Sequence, residues 1–183
     1  RYEIQGVKRQ GGFGITYRGY DLRLEVPVAI KEYFPVGAVS RYHPYSLDVR
    51  AINEEEGKTF GDGKQMFLEE ARVLAKFADD PNVVGVRDFF EENQTAYIVM
   101  QYLEGESLET FQKRFGPLPF DEVYGMLRPV MQSLAKIHDT GLIHRDISPS
   151  NLIRLRDGRI KLIDFGTARE VSPDGERSLS VIL

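Results

Sequence analysis

The sequence has no cysteine, which excludes disulfides and thiolate metal sites and suits a reducing compartment. It has no apolar run near the roughly 20 residues that cross a bilayer, and its start carries no secretory signal pattern. No membrane segment and a cytoplasmic location are therefore expected. Basic charge is not in excess: 24 Lys and Arg face 28 Asp and Glu, for a formal net charge of −4. That removes the general electrostatic reason to expect nucleic acid as a partner. Histidine is scarce, with three in the chain. His43 sits in an irregular stretch and is expected to be exposed. His138 falls on the apolar stripe of a helix and is read as a core histidine. With 183 residues and 42% hydrophobic content, the chain can bury the core of one ordinary domain or two small lobes.

What is present centres on residues 144–166. The order is His144-Arg145-Asp146-Ile147-Ser148-Pro149-Ser150-Asn151, an apolar run, a turn at Asp157-Gly158, a second apolar run, and Asp164-Phe165-Gly166. A short hairpin thus joins two loops that carry two acids and an asparagine. Such loops can hold one carboxylate over an attacking hydroxyl, and the other carboxylate with the amide oxygen over Mg²⁺.

Upstream, residues 2–8 and 15–20 read as strands flanking Gly11-Gly12-Phe13-Gly14. A glycine-rich turn lets backbone N–H groups approach phosphate, although three glycines alone equally describe a plain hairpin turn. Residues 26–32 read as a third strand, with Val28-Ala29-Ile30-Lys31 in it. Residues 33–63 read as a long irregular insertion, with Pro35, Pro44, Gly57, Gly61, Gly63 and the acidic run Glu54-Glu55-Glu56. Residues 64–77 follow as a helix whose apolar face carries Phe67, Ala71, Leu74 and Phe77. Glu70 lies on that face and needs a partner there, unless it sits at a wet helix edge; Glu69 points elsewhere. Residues 84–90 and 95–101 form a strand pair turned near Asn93. Residues 120–140 form the longest helix, with Val123, Met126, Leu127, Val130, Met131, Leu134, Ile137 and His138 as one stripe, Pro129 as a kink point and Gly141 as its end.

The order and spacing of these motifs resemble the protein kinase superfamily, and in particular bacterial eukaryotic-like Ser/Thr kinases, in which Lys31-Glu32-Tyr33-Phe34-Pro35 and a long insertion have counterparts. The resemblance implies an α+β, bilobal protein-kinase-like fold. An antiparallel β-sheet N-lobe with one helix (1–101, with the insertion 33–63) is joined by a hinge (102–105) to a truncated, mainly helical C-lobe (106–183). It implies Asp146 as catalytic base, Lys31 as contact to the α- and β-phosphates, Glu70 as partner of Lys31, and Asn151 and Asp164 as ligands of Mg²⁺. It implies an ATP site from Gly11, Gly12, Gly14, Ala29, Lys31, Met100, Gln101, Leu103 and Ile153, with hinge backbone groups at Gln101 and Leu103 taking the adenine. Glu106 or Ser107 is placed near the ribose, with a helix cap an equal reading for Ser107. His144 and Phe165 read as packing residues, and Arg145 as regulatory or structural.

The implied function is ATP- and Mg²⁺-dependent phosphorylation of Ser or Thr on a protein substrate. Two positions depart from the family pattern: Arg9 stands at the first glycine position, and Ser148 stands where Ser/Thr kinases carry a lysine. These departures and the absence of the A-P-E motif motivate the alternative of a nucleotide-binding pseudokinase or docking module. A small-molecule phosphotransferase is a third reading, disfavoured by Arg145. The chain stops soon after the start of the activation segment, where Ser172, Ser178 and Ser180 are candidate phosphorylation sites. An apolar C-lobe face left open there suggests self-association or instability.

Overall fold

A computed structural model describes residues 1–43 and 45–165, together with the backbone of Arg169 and Glu170. Gly166, Ser172, Ser178 and Ser180 lie outside the described residues. The chain divides into two compact units, Arg1–Asp79 with Val84–Leu103, and Asp80–Val83 with the residues from Glu104 onward. No helix among the described residues is long and apolar enough to cross a membrane.

The first unit is a five-stranded antiparallel sheet in the order β1-β2-β3-β7-β6. Its strands are β1 (Tyr2–Gln10), β2 (Gly14–Asp21), β3 (Val26–Tyr33), β6 (Val86–Glu92) and β7 (Thr95–Gln101). Period-two alternation sorts β3 into two sets. Val28 and Ile30 join Ile15, Tyr17, Tyr97 and Val99 in one buried cluster. Lys31 and Tyr33 face the other way, toward helix α1 (Glu54–Ala75). The β6–β7 hairpin turns through Asn93 and Gln94, with φ of 52° and 63°. Two successive left-handed residues make the turn whose twist suits a two-residue hairpin.

Residues 33–63 are not an irregular insertion. They hold a small hairpin, β4 (Val39–Arg41) and β5 (Val49–Ala51), and then the start of α1, ten residues before the start expected from the sequence. The glycines that argued for a loop are outweighed at both ends of this stretch. Asn53 caps the helix by accepting from the Glu56 N–H at 2.8 Å. Glu54, Glu55 and Glu56 then place negative charge at the positive end of the helix dipole. Further along, Phe60 stacks on Tyr33 with ring centroids 5.3 Å apart. Gly57 and Gly61 leave a groove of about 580 Å³ beside β5.

The second unit contains the sheet β11-β10-β8, formed by β8 (Gly105–Ser107), β10 (Leu152–Leu155) and β11 (Ile160–Leu162). With it are α2 (Leu108–Phe115), α3 (Phe120–Asp139) and the strand pair β9 (Leu142–Ile143) with β12 (Arg169–Glu170). The buried line of α3 is Val130, Ser133 and Ile137. His138 is exposed, not a core residue, and so is Met131. Each is one position from a buried residue, about 100° around the helix. Ser133 takes the inner place because its hydroxyl is satisfied. It donates to Asp80 at 2.7 Å and receives the Asn82 amide at 2.9 Å. The segment Asp80–Val83 is further held by Leu162 N–H donating to the Asn82 carbonyl and Lys161 Nζ donating to the Val83 carbonyl, both at 2.7 Å.

Candidate active site

In the first unit the glycine-rich turn closes on itself, with Gly11 N–H donating to the Gly14 carbonyl at 2.9 Å. It is also tied from outside: Phe34 N–H donates to Phe13 and Val36 N–H to Gly12, at 3.1 and 2.8 Å. A Cβ at Gly14 would stand 2.5 Å from the Glu32 carbonyl oxygen, so this close strand approach requires glycine. Thr16 pairs with Lys31 across β2 and β3, and Ala29 pairs with Met100 across β3 and β7. Ala29 and Met100 therefore share a sheet face. Gln101 N–H is engaged by the Gly85 carbonyl at 2.8 Å, and Leu103 is buried.

Lys31 Nζ reaches both carboxylate oxygens of Glu70, at 3.0 and 3.2 Å. The Glu70 side chain is 4% exposed and that of Lys31 15%. A buried carboxylate is costly without a partner, and here the partner is supplied from the neighbouring strand. Glu69, as the helical face requires, is exposed and pairs with Arg72 on the helix surface.

In the second unit the loop after β9 carries Asp146. Asn151, 2% exposed at the end of the 3₁₀ turn Pro149–Asn151, donates its amide to the Asp146 carboxylate at 2.8 Å and to the Asp146 carbonyl at 3.1 Å. Asp146 N–H donates to Nδ1 of His144 at 3.2 Å. His144 is buried and meets Phe165 edge-on, centroids 4.5 Å apart. Burial lowers the His144 pKa, against hydrogen bonding with Ile163 and the nearby Asp164 and Asp146 charges. A neutral imidazole suits an acceptor at Nδ1.

The β10–β11 hairpin brings the two loops together. Leu152 pairs with Leu162, and Ile163 N–H donates to the Asn151 carbonyl at 2.9 Å. Asp164 follows one residue later, at the same end of the hairpin as Asn151. Arg145 and Asp164 both have φ of 66°. Left-handed backbone at two non-glycine residues is a cost that the surrounding fold must offset, and it marks both loops. Ile153 pairs with Ser107 and Lys161 within the β8-β10-β11 sheet. Ser107 caps α2 by accepting from Thr110 N–H at 3.1 Å, and Glu106 pairs with Arg114 at 2.5 Å. The capping reading of Ser107 is the one seen.

Among the described residues no group of three or more His, Asp or Glu forms a self-contained metal cage. The oxygen donors of Asn151 and Asp164 instead suit Mg²⁺, which binds through one or two protein ligands together with phosphate oxygens and water. The Asn151 amide nitrogen is spent on Asp146, which leaves its oxygen to serve as the acceptor.

Sequence reasoning missed Glu32. Its carboxylate is 1% exposed, and its oxygens are hydrogen-bonded by Tyr17, Tyr97 and Arg41. The signal was present: in β3, Glu32 follows Val28 and Ile30 on the inward period.

Comparison with known proteins gives a consistent result. The protein kinase domain family matches residues 9–182. The chain is 34% identical over 183 residues to serine/threonine-protein kinase PknL of Mycobacterium bovis, covering all of this chain and 41% of that protein. It is 33% identical over 172 residues to serine/threonine-protein kinase PrkC of Bacillus subtilis, covering 94% of this chain and 23% of that one. Among solved structures, "PpkA-294 apo form" matches with a TM-score of 0.83 and 38% identity over 90% of this chain and 58% of that chain. The chain thus spans less than half the length of these curated relatives. The kinase-like fold expected from the motifs is borne out, and the chain belongs to the protein kinase domain family.

Proposed function

We propose that this chain carries the nucleotide site and the catalytic loop of a protein serine/threonine kinase, which transfers the γ-phosphoryl group of ATP to a Ser or Thr hydroxyl of a protein. The observation that carries this reading is the Asn151 amide clamp on Asp146, at 2.8 and 3.1 Å. It fixes a carboxylate whose neighbouring N–H is held by His144, so that its orientation is set before a substrate arrives. In this reading Asp146 orients the attacking hydroxyl and takes its proton as the bond to phosphorus forms. Lys31, held by Glu70, orients the α- and β-phosphates. Gly11, Gly12 and Gly14 offer backbone N–H groups to phosphate, and Ala29, Met100, Gln101, Leu103 and Ile153 line the adenine site. Asn151 and Asp164 would hold Mg²⁺, which when bound neutralises charge on the phosphate oxygens. The names of the relatives support a protein substrate, and the absence of cysteine suits a cytoplasmic setting.

The test combines binding and transfer. Calorimetry should show Mg²⁺-dependent ATP binding that Asp164→Ala abolishes. Asp146→Asn should keep that binding while transfer to protein falls by at least about 100-fold. Transfer unchanged in Asp146→Asn would remove the base assignment. Lys31→Met should weaken productive ATP use, read as a lower kcat/KM for ATP; an unchanged value would sink the Lys31 role.

One observation favours a second reading, a nucleotide-binding module without transfer. The Ser148 hydroxyl is hydrogen-bonded to Ser150 at 2.9 Å. A hydroxyl there cannot neutralise phosphate charge as a lysine would. Mg²⁺-dependent ATP binding with no transfer to protein would select this reading.

A further inference from the structure

A buried carboxylate on the sheet and a guanidinium on the small hairpin beside it form a network that the proposed chemistry does not use. Glu32 accepts from Tyr17 at 2.5 Å, Tyr97 at 3.0 Å and Arg41 Nη2 at 2.8 and 3.0 Å. The same guanidinium donates from Nη1 to the Leu47 carbonyl at 2.6 Å, closing the β4–β5 loop, and lies over the Phe34 ring. A carboxylate 1% exposed is strongly disfavoured without a cation. Arg41 supplies that cation, so the hairpin has one seating that satisfies Glu32.

The seating is passed on to α1. Val49 N–H donates to the Asn93 carbonyl at 2.9 Å, which ties β5 to the β6–β7 turn. Ile52 N–H donates to the Ala38 carbonyl at 3.0 Å, and Asn53 is already the cap of α1. Only Ile52 separates the end of β5 from the cap, so the helix start has little freedom once the hairpin is seated. Tyr33 lies against Phe60 at 5.3 Å and Phe67 at 5.5 Å, on the same face of β3 as Lys31. It acts as the pivot of a rigid helix. At about 1.5 Å rise per residue, a displacement of about 2 Å at the first turn becomes more than about 1 Å at Glu70. That is enough to break contacts of 3.0 and 3.2 Å.

We propose that Arg41 is a positioning residue for the Lys31–Glu70 pair: by capping buried Glu32 it seats the β4–β5 hairpin, and the hairpin fixes the start of α1. The consequence for phosphate transfer rests on the kinase reading; the effect on the ion pair does not.

The test therefore reads the ion pair directly. The 183-residue chain is treated with a small acylating reagent at neutral pH without nucleotide, and the rate at Lys31 is followed by peptide mass spectrometry. Glu70→Gln sets the rate with the pair abolished. Arg41→Met is expected to raise the Lys31 rate about fivefold, toward that reference, while the exposed Lys58 and Lys76 are unchanged. Arg41→Lys, which keeps the cation, is expected to return most of the protection. A folded Arg41→Met with the wild-type Lys31 rate overturns the proposal. If Arg41→Met does not fold, the double variant Glu32→Gln/Arg41→Met removes the buried charge together with its partner, and the same two outcomes decide. Altered Lys31 reactivity in a chain that transfers no phosphate would support the positioning role and count against the kinase reading. Normal transfer with unaltered reactivity would do the reverse.

Discussion

Gly61 and Gly63 are two positions apart in α1, yet alanine should have opposite effects at them. Nothing lies within 4 Å of a Cβ at Gly61, so Gly61→Ala should stabilise by about 0.5–1 kcal/mol through helix propensity alone. At Gly63 a Cβ would fall on the Tyr33 hydroxyl, and the Tyr33 ring is flanked by Phe60 and Phe67. Gly63→Ala should cost about 1 kcal/mol or more despite the same propensity gain. Urea midpoints of the two variants measure this, and equal shifts of the same sign would contradict it. The contrast also shows what was legible at this scale. Lys31 and Glu70 could be matched from the sequence because the kinase resemblance implies a strand lysine paired with a helix glutamate, and the apolar helical stripe picks Glu70 over Glu69. Glu32, one residue from Lys31, passed unread. Its strand parity was visible, but its cation stands nine positions away in a stretch that reads as loop.

Elements were legible where periodicity was unbroken and illegible where a tertiary partner decided. The five strands of the main sheet and the body of α3 follow from alternation and from the 3.6-residue stripe. The start of α1 does not, because three glycines hide a helix that depends on an asparagine cap and on an aromatic stack. Asn53→Ala should therefore destabilise by about 1 kcal/mol, and hydrogen exchange should show the loss concentrated at residues 54–60. Uniform loss along α1 would contradict that. In α3 the apolar stripe pointed to Met131 and His138 and passed over Ser133, since a serine enters a core only with partners in place. Ser133→Ala strips Asn82 and Asp80 of one hydrogen bond each and should cost about 1–3 kcal/mol by thermal unfolding. A neutral result would show that water replaces the hydroxyl.

For the whole molecule, order and spacing of motifs sufficed to identify two lobes, while the network of Tyr17, Tyr97 and Arg41 on buried Glu32 needed the structure. Burial, reinforced by the Glu32 carboxylate, pushes the Tyr97 phenol up to about 12 and that of Tyr17 higher still. An unfolded tyrosine ionises near pH 10. Above that pH the folded state holds more protons than the unfolded one, so this share of stability is complete below pH 10 and is lost as pH rises toward 12. Ultraviolet titration of the nine tyrosines should find these two among the last to ionise, together with Tyr2, whose phenol is raised by burial and by Asp88. Tyr97→Phe should flatten the alkaline fall in melting temperature. An alkaline slope unchanged in Tyr97→Phe would contradict the assignment. The chain is also partitioned in an unusual order, because residues 80–83 belong by packing to the second unit although first-unit sequence flanks them on both sides. Anyone building a chimera of two such proteins would place the splice at residue 103. That splice leaves a four-residue graft of the wrong parent inside the recipient, facing a Ser133 and a Leu162 it was never matched to. A working hybrid has to exchange two separate pieces of gene, the short one being twelve nucleotides long.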